Sequence, residues 1–232
     1  FETEKINFDR KFKIKTLALF FIDDIHSYRN DENSEKEPYL KNTFERLLLE
    51  KINEVLPTLS TENEKDYIEY LEASKKDIAS CHAGYFSQDN SNSDEEIANQ
   101  INEILFDKKK LLSIITDDGK LNTRRFLFSK WTLKEGWDNP NVFTITKLRS
   151  SGSDNSKIQE VGRGLRLPVD ENGNRISNED FKLNYIIDFT EADFAEKLVK
   201  EINDELPKGF RLSEEKIFEV AKKLNTTKND LF

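Results

Sequence analysis

Two arginines and a glutamine in one short segment have the spacing of an anion-binding helix face. Residues 159–166 read QEVGRGLR. On a helix, Gln159, Arg163 and Arg166 fall at i, i+4 and i+7 and therefore project from the same side. Their guanidinium forks match phosphate oxygens in both shape and charge. The pattern predicts a polyanion-binding helix; the alternative is a surface helix whose arginines pair with nearby carboxylates.

A loop upstream of this helix offers a second set of polar groups. An apolar run turns polar at Ser129 and Lys130, and Gly136 and Asp138 follow. Gly136 permits a close approach of the backbone to a ligand, and Asp138 can accept hydrogen bonds from hydroxyls. Since the loop follows a strand, we expect it at the carboxyl end of a sheet, where open α/β folds bind ligands. The alternative is an ordinary connecting loop with an Asn-Pro turn.

The charge of the chain is unevenly distributed. The net charge is −9, which disfavours a generic nucleic-acid-binding protein. The segment 120–166, however, holds ten basic and four acidic residues, so it carries +6 and the rest carries −15. A basic strip on an acidic body can steer a polyphosphate to one side. Chance clustering is the alternative explanation.

Alternating apolar runs and amphipathic stretches predict the elements that position these residues. The predicted strands are 14–22, 77–82, 125–129, 142–146 and 184–189. The predicted helices are 38–55, 63–74, one that opens with a capping box at Ser93, 155–165, and two after 191. This order favours an α/β fold with a mostly parallel sheet flanked by helices. A chain of 232 residues suits one such domain.

The amino-acid composition indicates the compartment of the protein and limits the kinds of functional site that it can contain. The only cysteine is Cys81, so an internal disulfide is impossible and a reduced, cytoplasmic setting is expected. A buried structural thiol explains Cys81 better than a metal ligand or nucleophile, and no metal site is predicted. Asp204 with Glu214 and Lys216 is a poor nuclease pattern, because Glu214 to Lys216 sit in the first turn of a capped helix, where acids complement the dipole. Charged residues make up 35% of the chain, and no apolar run approaches a membrane span.

The motifs resemble those of a known family. KEGWDNPNVF and QEVGRGLRLPV are similar to motifs V and VI of superfamily 2 helicases and translocases, and more closely to those of Res subunits of Type III restriction-modification enzymes. The segments 14–29 and 82–87 resemble a motif IV strand and a further family segment. The resemblance implies a RecA-like domain over 1–190, with 27–76 as a family-specific insertion and 191–232 as a helical extension leading toward a nuclease domain.

The resemblance also implies roles for individual residues. No G-x-x-x-x-G-K-[ST] loop occurs, so the chain resembles the second half of a two-domain motor, with ATP and Mg²⁺ held mainly by the first half. The implied nucleotide-binding residues are Gly136, Asp138 and Gln159, the implied catalytic residues at the γ-phosphate are Arg163 and Arg166, and the implied contacts with the DNA backbone are Ser129 and Lys130.

The function implied for the whole protein is that of an ATP-dependent, site-specific Type III deoxyribonuclease. Its partners are DNA, ATP and a methyltransferase (Mod) subunit, and this fragment alone is expected to be inactive. The chain begins with Phe1 and contains no Met, so we expect it to be part of a longer polypeptide. Two alternatives stay open: a superfamily 2 motor serving DNA repair or another defence system, and a non-catalytic module whose segment 27–76 binds a partner.

Overall fold

A single parallel sheet organises the described part of the chain. The computed structural model describes residues 1–29, 37–60, 62–86, 107–130, 139–148, 162, 166–187 and 200. Within these residues five strands pair in the order β2-β3-β1-β4-β5, and each pairing is parallel. The strands are β1 (Leu17–Phe21), β2 (His82–Tyr85), β3 (Phe126–Ser129), β4 (Val142–Lys147) and β5 (Asn184–Ile186).

The central strand β1 is covered on both faces, as its uninterrupted apolar sequence LALFF requires. Leu17, Leu19 and Phe21 point to one face and are fully buried. Phe20 points to the other face and stacks on Phe128 of β3, with ring centroids 4.8 Å apart. The aromatic and branched residues of β1 and β3 therefore hold the middle of the sheet between two apolar layers.

Four helices are described around the sheet. They are α1 (Glu2–Phe8), α2 (Tyr39–Val55), α3 (Lys65–Lys76) and α4 (Lys108–Leu112). Short 3₁₀ turns occur at Ile25–Ser27, Leu56–Thr58 and Ala79–Cys81. Helix α4 begins at Lys108 because the Asp107 carboxylate accepts a hydrogen bond from the Lys110 backbone N–H at 3.0 Å. None of the described helices has both the length and the apolarity to cross a membrane.

Helices α2 and α3, which are the α-helices described within 27–76, contribute to the core. Ile52, Tyr67, Tyr70 and Leu71 are almost fully buried and form one cluster with Cys81 and residues of α1. The Phe8 ring lies 4.9 Å from the Tyr70 ring. The prediction that Cys81 is a buried thiol is confirmed.

The predicted elements agree with the structure in most of the described residues. The predictions of strands at 14–22, 125–129 and 142–146 and of helices at 38–55 and 63–74 are confirmed. The prediction of a strand at 77–82 is wrong, because Ala79–Cys81 form a 3₁₀ turn and β2 begins at His82. Helices α1 and α4 have no counterpart among the predictions.

Several predictions fall largely outside the described residues. Of the helix predicted at 155–165 only Gly162 is described, and it is helical. The strand predicted at 184–189 is described to residue 187 and contains β5. The helix opened by Ser93 lies outside the described residues, as does the extension 191–232 apart from Lys200, so the domain boundary at 190 stays a prediction.

Candidate functional site

The carboxyl ends of the strands place Ser129 and Lys130 at one edge of the sheet. Ser129 is the last residue of β3, pairs in register with Phe21 of β1, and accepts a hydrogen bond from the Ile22 backbone N–H at 2.8 Å through its carbonyl. The Ser129 side chain is 2% exposed, whereas Lys130 is half-buried. Lys130 is therefore the more accessible of the two predicted DNA contacts.

Lys147 brings a further positive charge to this carboxyl edge. It ends β4, pairs in register with Phe21, and is 4% exposed. A lysine at this depth is uncommon unless its ammonium has partners. In the sequence analysis Lys147 is only one of ten basic residues. The signal for its burial is its position in the run VFTITK, because it lies on the same face of the strand as alternate apolar residues.

The opposite, amino-terminal edge receives the far end of the loop that carries Gly136 and Asp138. Both of those residues lie outside the described residues, but Asn139 and Asn141, which follow, are fully buried just before β4. The Asn141 backbone N–H donates to Asn139 Oδ1 at 3.0 Å, and the Asn141 carbonyl accepts from the Leu17 N–H at 2.9 Å. The described residues on either side of the loop therefore lie at opposite ends of the strands, Lys130 at the carboxyl edge and Asn139 at the amino edge, and the placement of Gly136 and Asp138 stays a prediction.

Arg166 lies at the same amino-terminal edge. It is exposed and borders a cavity of about 320 Å³. The other residues that line the cavity come from the start of β4, the segment after Arg166 and the segment before β5: Pro140, Val142, Phe143, Leu167, Pro168, Glu179, Asp180, Phe181, Lys182 and Leu183. The structure thus brings Arg166 close to the residues that follow Asp138. Gln159 and Arg163 lie outside the described residues.

The cavity is lined by both apolar and charged side chains. The rings of Phe143 and Phe181 meet edge to face, with centroids 6.0 Å apart. Arg10 lies over the Phe181 ring at 5.0 Å and forms an ion pair with Glu179 at 2.7 Å. The charged lining residues are of both signs, with Arg166 and Lys182 basic and Glu179 and Asp180 acidic, so the cavity can accept a ligand with a flat apolar part and polar groups.

A tight hairpin follows Arg166 directly. Val169 bridges Arg175 in antiparallel fashion, and Gly173 turns the chain with φ of 82°. The Asp170 carboxylate accepts hydrogen bonds from the backbone N–H groups of Asn172 and Asn174, each at 2.9 Å. Burial opposes ionisation of Asp170, but these hydrogen bonds outweigh it and hold the pKa of the carboxyl below its ordinary value.

The basic strip predicted over 120–166 is weaker at the surface than its charge count suggests. Arg125 is 1% exposed and faces Glu4, and Lys147 is buried, so neither adds to an exposed strip. Lys120 is exposed but lies 2.7 Å from Asp118. Arg124 donates to the His82 carbonyl at 3.2 Å. Among the described residues of this segment, Arg125 and Lys147 therefore contribute no exposed charge to the predicted basic strip.

The two other segments that carried the family resemblance meet in space. Tyr28 Oη lies 2.5 Å from His82 Nδ1, and His82 Nε2 lies 3.0 Å from Glu45 Oε1 on α2. Arg29 donates to the Gly84 carbonyl at 2.8 Å. Burial lowers the pKa of His82, although Glu45 acts in the opposite direction. Among the described residues no group of three or more His, Cys, Asp or Glu side chains is arranged to hold a metal ion.

The parallel sheet and the helices that cover it define an α/β domain, and this architecture fits the RecA-like class. Comparison with known proteins then gives the family. The chain is 48% identical over 235 residues to the Res subunit of the Type III restriction-modification enzyme StyLTI of Salmonella typhimurium, covering 94% of this chain and 23% of that protein. It belongs to the Res subunits of Type III restriction-modification enzymes.

Two further relatives agree. The chain is 53% identical to the EcoPI Res subunit of Escherichia phage P1 and 52% identical to the EcoP15I Res subunit of Escherichia coli; in each case the match covers 82% of this chain and 18% of the relative. The chain thus spans about a fifth of the length of the curated relatives it matches. No protein-family model matches it. A solved structure of S. cerevisiae Dbp5 bound to Gle1 and IP6 is similar at 11% identity and a TM-score of 0.36, covering 96% of this chain and 41% of that one.

Proposed function

We propose that this chain is the second RecA-like half of an ATP-driven DNA motor in a Type III restriction enzyme. The observation that supports the proposal most directly is that Arg166 and Pro140 line one cavity at the amino-terminal edge of the sheet. Pro140 lies two residues after Asp138, so the segments matching motifs V and VI converge on the same place. Ser129 and Lys130 lie at the opposite edge, which leaves one edge for nucleotide and one for DNA.

In this proposal, ATP and Mg²⁺ are held mainly by the first half of the motor. Arg163 and Arg166 approach the γ-phosphate, where negative charge accumulates as the bond to the leaving group breaks. Gly136, Asp138 and Gln159 line the nucleotide side of the cleft. A guanidinium that reaches the transferred phosphoryl group stabilises the transition state more than the ground state and therefore raises the rate of hydrolysis.

The remaining roles concern the whole enzyme. Lys130, with Ser129, contacts the DNA backbone. Each cycle of ATP hydrolysis therefore drives movement of the enzyme, or a signal from it, along DNA. The methyltransferase (Mod) subunit is the partner in the complex, movement starts from a methylation-defined site, and a nuclease domain makes the cut. The enzyme works in the cytoplasm. The support is the identity of about half the residues with three Res subunits.

ATP turnover by the isolated chain and by the full-length polypeptide tests the proposal. The isolated chain should fold but hydrolyse ATP no faster than background, since it has no phosphate-binding G-x-x-x-x-G-K-[ST] loop. In the full-length polypeptide, Arg166→Ala should lower turnover by roughly 10³-fold or more. Magnesium-dependent, DNA-stimulated turnover by the isolated chain would overturn the half-motor proposal, as would full turnover in the Arg166 variant.

A further inference from the structure

One asparagine side chain fastens the loop before β4 to the hairpin after Arg166. Asn141 Nδ2 donates to the Val169 carbonyl at 2.9 Å, and Asn141 Oδ1 accepts from the Val169 backbone N–H at 2.8 Å. Both polar atoms of the amide are thus used on one residue of the hairpin. Asn141 is fully buried, so water does not compete for these bonds.

Both ends of this connection are themselves held firmly. The Asn141 carbonyl accepts from the Leu17 N–H at 2.9 Å, which fixes Asn141 to the central strand β1. On the hairpin side, the Ile176 N–H donates to the Pro168 carbonyl at 3.0 Å, and the Glu171 N–H donates to the Lys13 carbonyl at 2.8 Å. The amide therefore joins two rigid segments and transmits the position of one to the other.

The connection lies the same short distance along the chain from one implied nucleotide-binding residue and one implied catalytic residue. Asp138 precedes Asn141 by three residues, and Arg166 precedes Val169 by three residues. Three residues reach at most about 10 Å even when fully extended. A shift at Val169 therefore displaces a residue that lies within this reach of Arg166.

We infer that Asn141 is a positioning residue, which holds the segment after Arg166 against the start of β4 and thereby sets where Arg166 stands. This inference rests on the proposed function, since it concerns the same nucleotide site. Asparagine suits the task because a donor and an acceptor are both required: aspartate lacks the donor and a hydrocarbon side chain lacks both. Displacing a catalytic group by about 1 Å can cost roughly 10²-fold in rate, even when the substituted residue is remote from the chemistry.

Asn122 provides a matched control. Its Nδ2 donates to the carbonyls of Lys110 and Ser113 at 2.8 and 3.1 Å, and its Oδ1 accepts from the Arg124 N–H at 3.2 Å. It is 7% exposed and, like Asn141, joins backbone segments, but it borders neither the cavity nor the hairpin. Asn141→Ala and Asn122→Ala thus remove comparable buried amides, one near the proposed nucleotide site and one away from it.

The experiment compares melting temperature, kcat and KM for ATP in full-length polypeptides carrying each variant. We expect both variants to lose similar thermal stability. Asn141→Ala should lower kcat per folded molecule by roughly 10- to 100-fold with little change in KM, and Asn122→Ala should change it by less than about twofold. Asn141→Asp, which keeps the acceptor for the Val169 N–H, should also lower kcat. Loss of folding in both Asn141 variants would overturn the inference, because the amide would then act on stability alone.

A double variant separates positioning of Arg166 from a general effect on the enzyme. Arg166→Lys keeps the charge but loses the planar fork, so it should leave measurable turnover. If Asn141 acts through Arg166, adding Asn141→Ala to Arg166→Lys should lower kcat by less than about threefold further, since residues that act as a unit are non-additive. Independent, multiplicative losses would overturn the inference. Normal turnover in Arg166→Ala would instead overturn the proposed function, and normal turnover in Asn141→Ala beside an inactive Arg166→Ala would overturn the positioning role alone.

Discussion

Arg125 carries its charge into the interior of the domain. It is 1% exposed, its Nε lies 2.6 Å from Glu4 Oε1, and its Nη1 donates to Ser74 Oγ at 3.0 Å. Burial opposes the charge, but the Glu4 carboxylate outweighs it and holds the pKa of Arg125 above its ordinary value. Removal of either partner leaves the other charge buried without compensation.

We therefore expect Arg125→Ala to lower the free energy of unfolding of the isolated chain by about 3–5 kcal/mol. The control is Arg46→Ala on α2, where Arg46 and Glu50 lie 2.8 Å apart with side chains 60% and 53% exposed. Loss of an exposed pair costs below about 1 kcal/mol. Urea unfolding followed by circular dichroism measures both, and equal losses would contradict a structural role for the buried pair.

The position and partners of a residue could be predicted where they depend on its neighbours in the sequence. They could not be predicted where they depend on a partner that is remote in the sequence. Ser129 and Lys130 lie at the end of β3, as the change from apolar to polar residues indicated. Nothing near Arg125 in the sequence shows that it faces Glu4 of α1, and nothing near Asn141 shows that it binds the Val169 backbone. Such partners come together only when the sheet forms, so charge counts and spacing cannot reveal them.

At the scale of elements, the hairpin after Arg166 depends on a left-handed turn. Gly173 has φ of 82°, and Gly119, in the turn before β3, has φ of 80°. An added Cβ meets no atom within 4 Å at either position, so only the backbone conformation opposes alanine. The two glycines therefore form a matched pair, one inside the hairpin that Asn141 holds and one elsewhere.

We expect Gly173→Ala and Gly119→Ala each to lower the free energy of unfolding by about 1 kcal/mol, because a left-handed conformation is unfavourable for alanine. In the full-length polypeptide only Gly173→Ala should also reduce ATP turnover per folded molecule, since it distorts the hairpin that follows Arg166. Thermal unfolding and phosphate release on the same preparations provide the measurements. A turnover loss shared by both variants would point to stability and not to the hairpin.

Strand β2 contacts both α2 and the turn that follows β1. This contact should make the free energy of unfolding depend on pH. Burial lowers the pKa of His82, so the folded chain keeps it neutral at pH values where the unfolded chain, with an ordinary pKa of about 6.5, is protonated. The unfolded state then binds the extra proton, and the free energy of unfolding falls as the pH falls from about 6.5 through the folded pKa. Stability from this source is fully present only above about 6.5.

As the pH falls from 7.5 to 5.5, the free energy of unfolding should therefore decrease less in His82→Gln than in the unaltered chain. At pH 7.5 itself the variant is the less stable of the two. Urea midpoints at the two pH values measure this difference, and titration of the carboxylates is common to both proteins. If His82→Gln and the unaltered chain lose the same stability, His82 does not remain neutral in the fold.

Strands of the sheet could be predicted better than the turns and short helices around it. The apolar runs of β1, β3 and β4 are long enough to identify a buried parallel sheet without any tertiary information. The predicted strand at 77–82 begins too early for β2. The residues before His82 form a 3₁₀ turn in which Cys81 is buried against the helices. Packing against α2 and α3, and not local propensity, decides where that strand begins.

At the scale of the whole molecule, the sheet separates two candidate surfaces. Lys130 lies beyond the carboxyl end of β3, and Arg166 lies with the residues that precede β4 at the amino-terminal edge. A strand of four to six residues, at about 3.3 Å per residue, keeps these edges roughly 13–20 Å apart. In the proposed motor, DNA and nucleotide therefore do not compete for the same surface, and the rigid sheet between them transmits movement.

This separation predicts that the two activities respond to different substitutions in the full-length polypeptide. Lys130→Ala should weaken binding to all DNA sequences alike and reduce the slope of log Kd against log salt by about 0.9, the value for one lost phosphate contact. It should change DNA affinity far more than ATP turnover without DNA, and Arg166→Ala should do the reverse. Fluorescence anisotropy on labelled duplexes over a salt series, with phosphate release on the same preparations, measures both properties.

Lys120→Ala is the control for charge alone. Lys120 belongs to the same basic segment, is exposed, and is paired with Asp118 in the turn before β3, away from the carboxyl edge. Its removal should leave the salt slope almost unchanged, because a lysine that is far from the DNA path releases no bound counterion. If Lys120→Ala and Lys130→Ala shift the slope equally, DNA binding depends only on the overall charge of the segment. If Lys130→Ala changes sequence preference, Lys130 contacts bases and not the backbone.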